Sequence, residues 1–269
     1  MIKWPFGKPG SFLDAESEAW HVETWAWLLR NMGGVDALRQ APLVTPTTSF
    51  FPSTDALGHA RVAEVLDAIK MLAGMQEWPC VLEAQPQRAP VRLGDSLVLE
   101  RRSGALPLGT FGPHGDEVLV TYDPDLVDDP VGLVATLVHE LAHYLLSSFP
   151  TSPPGGEAME EFATDLATAA MGFGVFGAAT ALRFEGGEAG WTLGWSGQGY
   201  LHPRDWAFAL AVFTALRGEG PEALRRWLRD TVFEEVVAAL RYLRRKPELI
   251  DDILRNDAGG PDTKTPARP

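Results

Sequence analysis

Two histidines, His139 and His143, stand four residues apart, and a glutamate, Glu140, directly follows the first. Residues four apart on an α-helix lie one turn above each other, so both imidazoles project from one face and can bind one metal ion. The carboxylate of Glu140 is then expected beside them, where it can take a proton from a water bound to the metal. The spacing predicts a metal site with hydrolytic chemistry. A pair of histidines that binds no metal is the alternative.

A catalytic zinc site takes three protein ligands and keeps one position for water, so a third ligand is needed. The segment after the loop at 151–156 contains several acids. Among them, Glu161 and Asp165 are four apart and share a helix face. This favours Glu161 as the third ligand and Asp165 as the acceptor for the ring N–H of a ligating histidine. Glu160 is the competing ligand, because a shift of one residue in the helical phase exchanges it with Glu161. For Glu157, an acid that complements the N-terminal helix dipole is the better explanation.

The run His-Glu-Leu-Ala-His at 139–143, followed after a loop by Glu-Phe-Ala-Thr-Asp at 161–165, resembles the gluzincin class of zinc metallopeptidases. In that class the two motif histidines and a downstream glutamate bind zinc. The motif glutamate activates water, and an aspartate four residues after the third ligand supports a histidine. The resemblance assigns these roles, in the same order, to His139 and His143, Glu161, Glu140 and Asp165. It covers about 129–171, and it implies one zinc ion per chain.

The resemblance implies a zinc-dependent metallopeptidase that acts on a peptide or protein substrate. A zinc-binding regulatory or interaction module with little or no peptidase activity is the alternative function. A peptidase also needs a donor for the tetrahedral oxyanion. Tyr200 and His202 are the candidates, because they lie in the irregular, aromatic-rich segment 184–202. Tyr144 and His114 are further candidates. Packing is the competing explanation for Tyr144, and a helix cap is the competing explanation for His202.

The helix that carries the motif has clear start and stop signals. Asp129 is an acidic cap and Pro130 suits the first helical position, so the helix is expected to run from there to about Leu146. In the region 80–122 the pattern changes to short alternating runs, and Glu117–Tyr122 or its neighbour is a candidate strand for binding the substrate backbone. The other predicted elements are helices over 14–32, 54–73, 157–171, 221–229 and 231–245, a helix from His202-Pro203, and a strand over Ser96–Arg102.

This order of elements predicts an α+β fold. The expected architecture is a predominantly helical, zincin-like domain with a small antiparallel or mixed sheet before the active-site helix. We expect one metallopeptidase-like domain over 1–255 and a disordered tail over 256–269. Within the domain, the predicted parts are an N-terminal helical extension over 1–53, a zincin core over 54–182 and a C-terminal helical subdomain over 183–255.

Composition limits the partners and the compartment. The net charge of −13 argues against nucleic acid, because phosphate binding needs a positive surface. The single cysteine, Cys80, excludes an intrachain disulfide and fits a reducing compartment. The longest uncharged run, 166–182, is Gly-rich and too short to span a bilayer, and the N-terminus has no secretory pattern. A cytoplasmic protein without a membrane span is expected, and its oligomeric state stays open.

Overall fold

The computed structural model describes residues 11–86, 91–92, 98–99, 108–114, 117–181 and 201–257. Most of them are helical. The helices are α1 Ala15–Asn31, α2 Gly34–Gln40, α3 Gly58–Leu72, α4 Pro130–Ser147, α5 Glu160–Ala170, α6 Gly174–Ala181, α7 Pro203–Leu216, α8 Glu222–Arg225, α9 Asp230–Arg245 and α10 Pro247–Asp257. The strands are β1 Cys80–Ala84, β2 Val91–Arg92, β3 Val98–Leu99, β4 Gly109–His114 and β5 Glu117–Tyr122. Short 3₁₀ turns at Pro124–Asp128 and Gly156–Met159 precede α4 and α5.

The larger sheet has three strands in the order β1-β5-β4 and lies before α4 in the chain. β5 pairs in parallel with β1 and antiparallel with β4, so the sheet is mixed. The predicted α+β class is therefore confirmed, and so are the bounds of the strand Glu117–Tyr122. Val120 and Tyr122 alternate towards the core, as expected of a strand with one buried face. Because β5 is paired on both sides, its neighbour β4 is the edge strand nearest α4 in the described part of the chain.

Several sequence predictions need correction or stay incomplete. The helix predicted over 221–229 is limited to Glu222–Arg225, and α10 was not predicted. Helix α1 ends at Asn31, close to the end predicted at 32, but after Gly33, with φ of 89°, the chain starts the short helix α2, which was not predicted. The helix predicted over 54–73 begins only at Gly58. The reason is local: the Ala56 N–H donates to the Thr54 hydroxyl, which holds the residues before Gly58 in a turn. Of the strand predicted over Ser96–Arg102, only β3 falls within the described residues.

Helix α4, which carries the histidine motif, is a central element of the core. Asp129 caps it by accepting a hydrogen bond from the Gly132 N–H at 3.2 Å, and Pro130 occupies the first turn, as predicted. The helix packs against α3, α5 and α6 and against the sheet. Its side chains Leu137 and Leu141 are fully buried. The motif is therefore held by a helix that cannot shift without disturbing the core.

The remaining helices surround α4 and continue the same core. α7 packs on α6 and α9, and α1 packs on α5 and α10. One cluster of buried hydrophobic residues extends from Phe12 to Ile253. It draws on all three predicted parts of the chain, whose boundaries stay a prediction. Among the residues described, no helix combines the length and apolar character needed to cross a bilayer.

The edge strand β4 lies directly against α4 because it has a glycine at the contact. A Cβ at Gly109 would lie 2.7 Å from both Glu140 Oε1 and Thr136 Cγ2, which is closer than real Cβ atoms approach. At Gly112, on the same strand, a Cβ would meet no atom within 4 Å. Glycine at 109 therefore permits the strand to approach the motif helix.

We expect Gly109→Ala to lower the free energy of unfolding by about 1–3 kcal/mol, because the strand or the Glu140 side chain must move. The matched variant Gly112→Ala is expected to change it by less than about 0.5 kcal/mol. Urea unfolding followed by circular dichroism measures both. Equal effects of the two substitutions would show that the contact between Gly109 and Glu140 has no special role.

Candidate metal centre

The two motif histidines meet on one face of α4, one turn apart. Their Nε2 atoms are 3.2 Å from each other. The rings stand nearly perpendicular, with an interplanar angle of 82° and centroids 4.8 Å apart. Both side chains are largely buried, so the two nitrogens face each other in a confined space. The geometry is that expected from a four-residue spacing on a helix.

Glu161, from the first turn of α5, completes a group of three. Its Oε2 lies 3.2 Å from His139 Nε2 and 3.2 Å from His143 Nε2. The competing residue Glu160 is exposed. Within the described part of the chain its local hydrogen bonds are made by its backbone: the N–H donates to the Glu157 carbonyl, and the carbonyl accepts from the Thr164 hydroxyl. Among the described residues, the structure therefore brings Glu161, and not Glu160, to the two histidines. His139, His143 and Glu161 could together hold a metal ion.

The spacing of the three donor atoms suits a small tetrahedral cation. Each pair of donor atoms is separated by 3.2 Å. A tetrahedron with metal–ligand bonds of about 2.0–2.1 Å has edges of about 3.3 Å, which is close to this value. Two imidazole nitrogens and one carboxylate oxygen are also a ligand set that zinc favours. The residues present therefore fit zinc.

The Nδ1 atoms of both rings are occupied by other groups, which leaves Nε2 for the metal. His139 Nδ1 lies 3.0 Å from Asp165 Oδ1, and the other Asp165 oxygen accepts a hydrogen bond from the Leu201 N–H at 2.9 Å. His143 Nδ1 lies 3.3 Å from Thr164 Oγ1. The position of Asp165 is the one predicted from its spacing. The contributions of Thr164 and of the Leu201 backbone were not predicted.

Glu140 is the buried acid of the site. Its side chain is 6% exposed, and it lies against the edge strand at Gly109. Burial raises the pKa of the Glu140 carboxyl above its ordinary value, because the charged form loses water; the nearby His139 and His143 counteract this only in part. A carboxyl with a raised pKa beside a candidate metal site is suited to accept a proton and return it.

The inner side of the site is closed by the helical core. A cavity of about 20 Å³ lies behind His139 and Glu140, and Trp206 of α7 forms part of its wall. Trp206 packs closely on α6, where a Cβ at Gly177 would lie 2.2 Å from the indole ring. The cavity has room for about one water molecule and none for a peptide.

On the outer side, an aromatic ring of the edge strand covers one histidine. The Phe111 ring of β4 is stacked on His143 with an interplanar angle of 13° and a centroid distance of 6.2 Å. β4 therefore passes both Glu140, at Gly109, and His143, at Phe111. Its backbone runs along the candidate metal site.

The four sequence candidates for an oxyanion donor have different outcomes. Tyr200 lies outside the described residues, as does the side chain of His114. His202 is exposed and precedes α7, and its side chain makes no capping hydrogen bond there. Tyr144 is buried, and its hydroxyl donates to the Pro79 carbonyl at 3.3 Å. Packing against Trp78 and Phe111 accounts for its position.

Without a metal, two of the three donor residues, His139 and Glu161, form an ion pair. Burial by itself lowers the pKa of His139, but hydrogen bonds to Asp165 and Glu161 outweigh it and raise the pKa to about 10. Burial raises the pKa of Glu161, whereas its hydrogen bond with His139 and its contact with His143 lower it to about 2. At neutral pH, the metal-free protein therefore holds a charged His139 beside a charged Glu161.

Comparisons with protein-family models, with curated proteins and with solved structures found no match to this chain.

The ion pair predicts how the stability of the metal-free protein depends on pH. Because the pKa of His139 is raised from 6.5 to about 10 on folding, its contribution is complete below pH 6.5 and is lost as pH rises towards 10. Glu161 contributes above pH 4.5 and loses its contribution as pH falls towards 2. After treatment with a chelator, the wild-type protein is therefore expected to have a higher free energy of unfolding than His139→Gln at pH 6.5. This difference is expected to disappear as the pH rises to 10.

Urea unfolding of both proteins at a series of pH values measures this difference. Other groups that titrate in the same range affect both proteins alike and cancel. Stability curves that stay parallel from pH 6.5 to 10 would contradict the ion pair between His139 and Glu161.

Proposed function

We propose that this protein is a zinc-dependent metallopeptidase of the gluzincin type, with a zincin-like core around α4. The observation that carries the proposal is the triangle of His139 Nε2, His143 Nε2 and Glu161 Oε2, with 3.2 Å edges and a buried acid beside it. The sequence resemblance supports the same three ligands and the same acid. Glu160, the competing ligand, is exposed and stays outside this group.

The proposed roles follow from where each side chain lies. The two histidines and Glu161 would hold a zinc ion, which would supply a Lewis acid for the carbonyl of the substrate and for the attacking water. Glu140 accepts the proton of the attacking water at its carboxylate and passes it to the leaving amine. Burial raises the pKa of the Glu140 carboxyl, which favours the first of these two transfers. Asp165 orients His139 by accepting its Nδ1–H.

The edge strand β4 is the proposed binding surface for the peptide backbone. It has β5 on one side and passes Glu140 and His143. An extended peptide that adds to such an edge is held by main-chain hydrogen bonds, whatever its side chains. A peptide bound in this way would have a peptide bond near the proposed metal without requiring a deep pocket, and the 20 Å³ cavity behind the site offers none. The sequence left Glu117–Tyr122 and its neighbour as candidate strands for binding the substrate. Of these, the neighbour β4 is the one proposed here.

The ligand assignment can be tested with two adjacent glutamates. We expect Glu161→Gln to weaken zinc binding at least about tenfold, because an amide oxygen is a poorer, uncharged ligand. Glu160→Gln is the matched control, and its affinity is expected to stay within about twofold of wild type. Competition with a chromogenic chelator measures the affinities of the purified proteins. A loss of affinity in Glu160→Gln alone would show that Glu160, and not Glu161, is the third ligand.

The catalytic role is tested by Glu140→Gln, which keeps the shape of the side chain and removes the base. We expect hydrolysis of a pool of unstructured peptides to fall at least about 100-fold while one zinc per chain is retained. Glu157→Gln, an acid before α5, is the control and is expected to cleave like wild type. Mass spectrometry of the peptide pool and elemental analysis of the protein give the two readouts.

The same experiment separates the peptidase from the alternative function. If wild type binds zinc and cleaves no peptide, the protein is a zinc-binding regulatory or interaction module. If Glu140→Gln cleaves as fast as wild type, Glu140 is not the base. If wild type retains no metal, both functions are contradicted.

A further inference from the structure

We infer that Thr164 is the positioning residue of the second histidine: its hydroxyl fixes the ring of His143 with Nε2 towards the metal. This inference rests on the proposed zinc site and adds a residue to it. Thr164 is fully buried, and it lies on α5 three residues after Glu161. It is therefore on the face of α5 that meets the two histidines of α4.

The direction of each hydrogen bond follows from the single proton of the hydroxyl. Thr164 Oγ1 lies 2.9 Å from the backbone carbonyl of Glu160, which can only accept, so the hydroxyl donates its proton there. Its contact with His143 Nδ1, at 3.3 Å, must then use an oxygen lone pair. His143 therefore carries its proton on Nδ1 and donates it to Thr164. The tautomer with an unprotonated Nε2 is the one that can bind a metal.

The two histidines are thus supported in different ways. Asp165 offers His139 a carboxylate, which orients the ring and also makes it more basic. Thr164 offers His143 a neutral oxygen, which orients the ring and stabilises one tautomer without adding charge. A second carboxylate at this place would add to the charges of Glu140, Glu161 and Asp165. The hydroxyl supplies the acceptor without that repulsion.

Valine is the informative replacement, because it matches threonine in shape and lacks the oxygen. The Glu160 carbonyl keeps its helical partner, so Thr164→Val leaves only the His143 Nδ1–H without an acceptor. We expect the zinc dissociation constant to rise at least about tenfold in Thr164→Val, in the range measured for lost outer partners of metal ligands. Thr164→Ser, which keeps the hydroxyl, is expected to restore the affinity to within about threefold of wild type.

Thr214 of α7 provides a matched control. It is buried, and its hydroxyl donates to the Leu210 carbonyl four residues back, as that of Thr164 does to Glu160. Thr214→Val therefore removes the same kind of backbone hydrogen bond without a histidine, and its zinc affinity is expected to equal that of wild type. Competition of zinc with a chromogenic chelator measures all four proteins. Urea unfolding of the chelated proteins checks that each folds.

The outcomes separate the role of Thr164 from the function. The inference is overturned if Thr164→Val binds zinc as tightly as wild type, or if Thr164→Ser loses as much affinity as Thr164→Val. If Thr164→Val does not fold, Thr164→Ala decides by the same criterion, with an expected loss of at least about fivefold. Because the assay uses zinc alone, a wild-type protein that binds zinc but cleaves no peptide leaves the inference standing and contradicts only the peptidase.

Discussion

The site depends on one constraint: helices α4 and α5 press polar faces against each other inside an apolar core. Buried charges are costly unless other groups satisfy them. Asp165 meets this requirement with one oxygen on His139 and the other on the Leu201 N–H. Glu161 is partly exposed and is paired with both histidines. The bonds of the buried Asp165 hold α4 and α5 in one register, and that register brings the three candidate ligand atoms together.

The surrounding elements also hold α4 in its position against α5. Asp129 and Pro130 begin α4 at a defined residue, and the buried leucines of α4 fix its rotation. On one side, Gly109 lets β4 approach so closely that a Cβ at this residue would lie 2.7 Å from Glu140 Oε1. On the other side, the Asp165 bond to Leu201 ties the start of the α7 region to the histidine helix. The helices that follow the motif in the chain are thus part of the support of the site.

Local rules predicted the motif helix and the contacts of Glu161 and Asp165, because capping and four-residue spacing depend only on neighbouring residues. They also predicted β5, whose apolar residues alternate. The edge strand β4 was not predicted, since Gly109, Gly112 and Pro113 are poor strand formers. It forms through pairing with β5, which is tertiary information. Thr164 lies on the same helix as Glu161, but nothing in the sequence shows which ring its hydroxyl reaches. The Leu201 contact uses only the backbone N–H of that residue, so no side chain in the sequence indicates it.

The charges at the site link the proposed base to the proposed metal. Three acids, Glu140, Glu161 and Asp165, share a small volume with two histidines, and burial alone favours a protonated Glu140. A divalent cation held by His139, His143 and Glu161 would add positive charge next to Glu140 and lower the pKa of its carboxyl. Burial acts on the same pKa in the opposite direction. The proposed base and the proposed metal are therefore linked by charge, because Glu140 lies between the apolar core and the three candidate ligands.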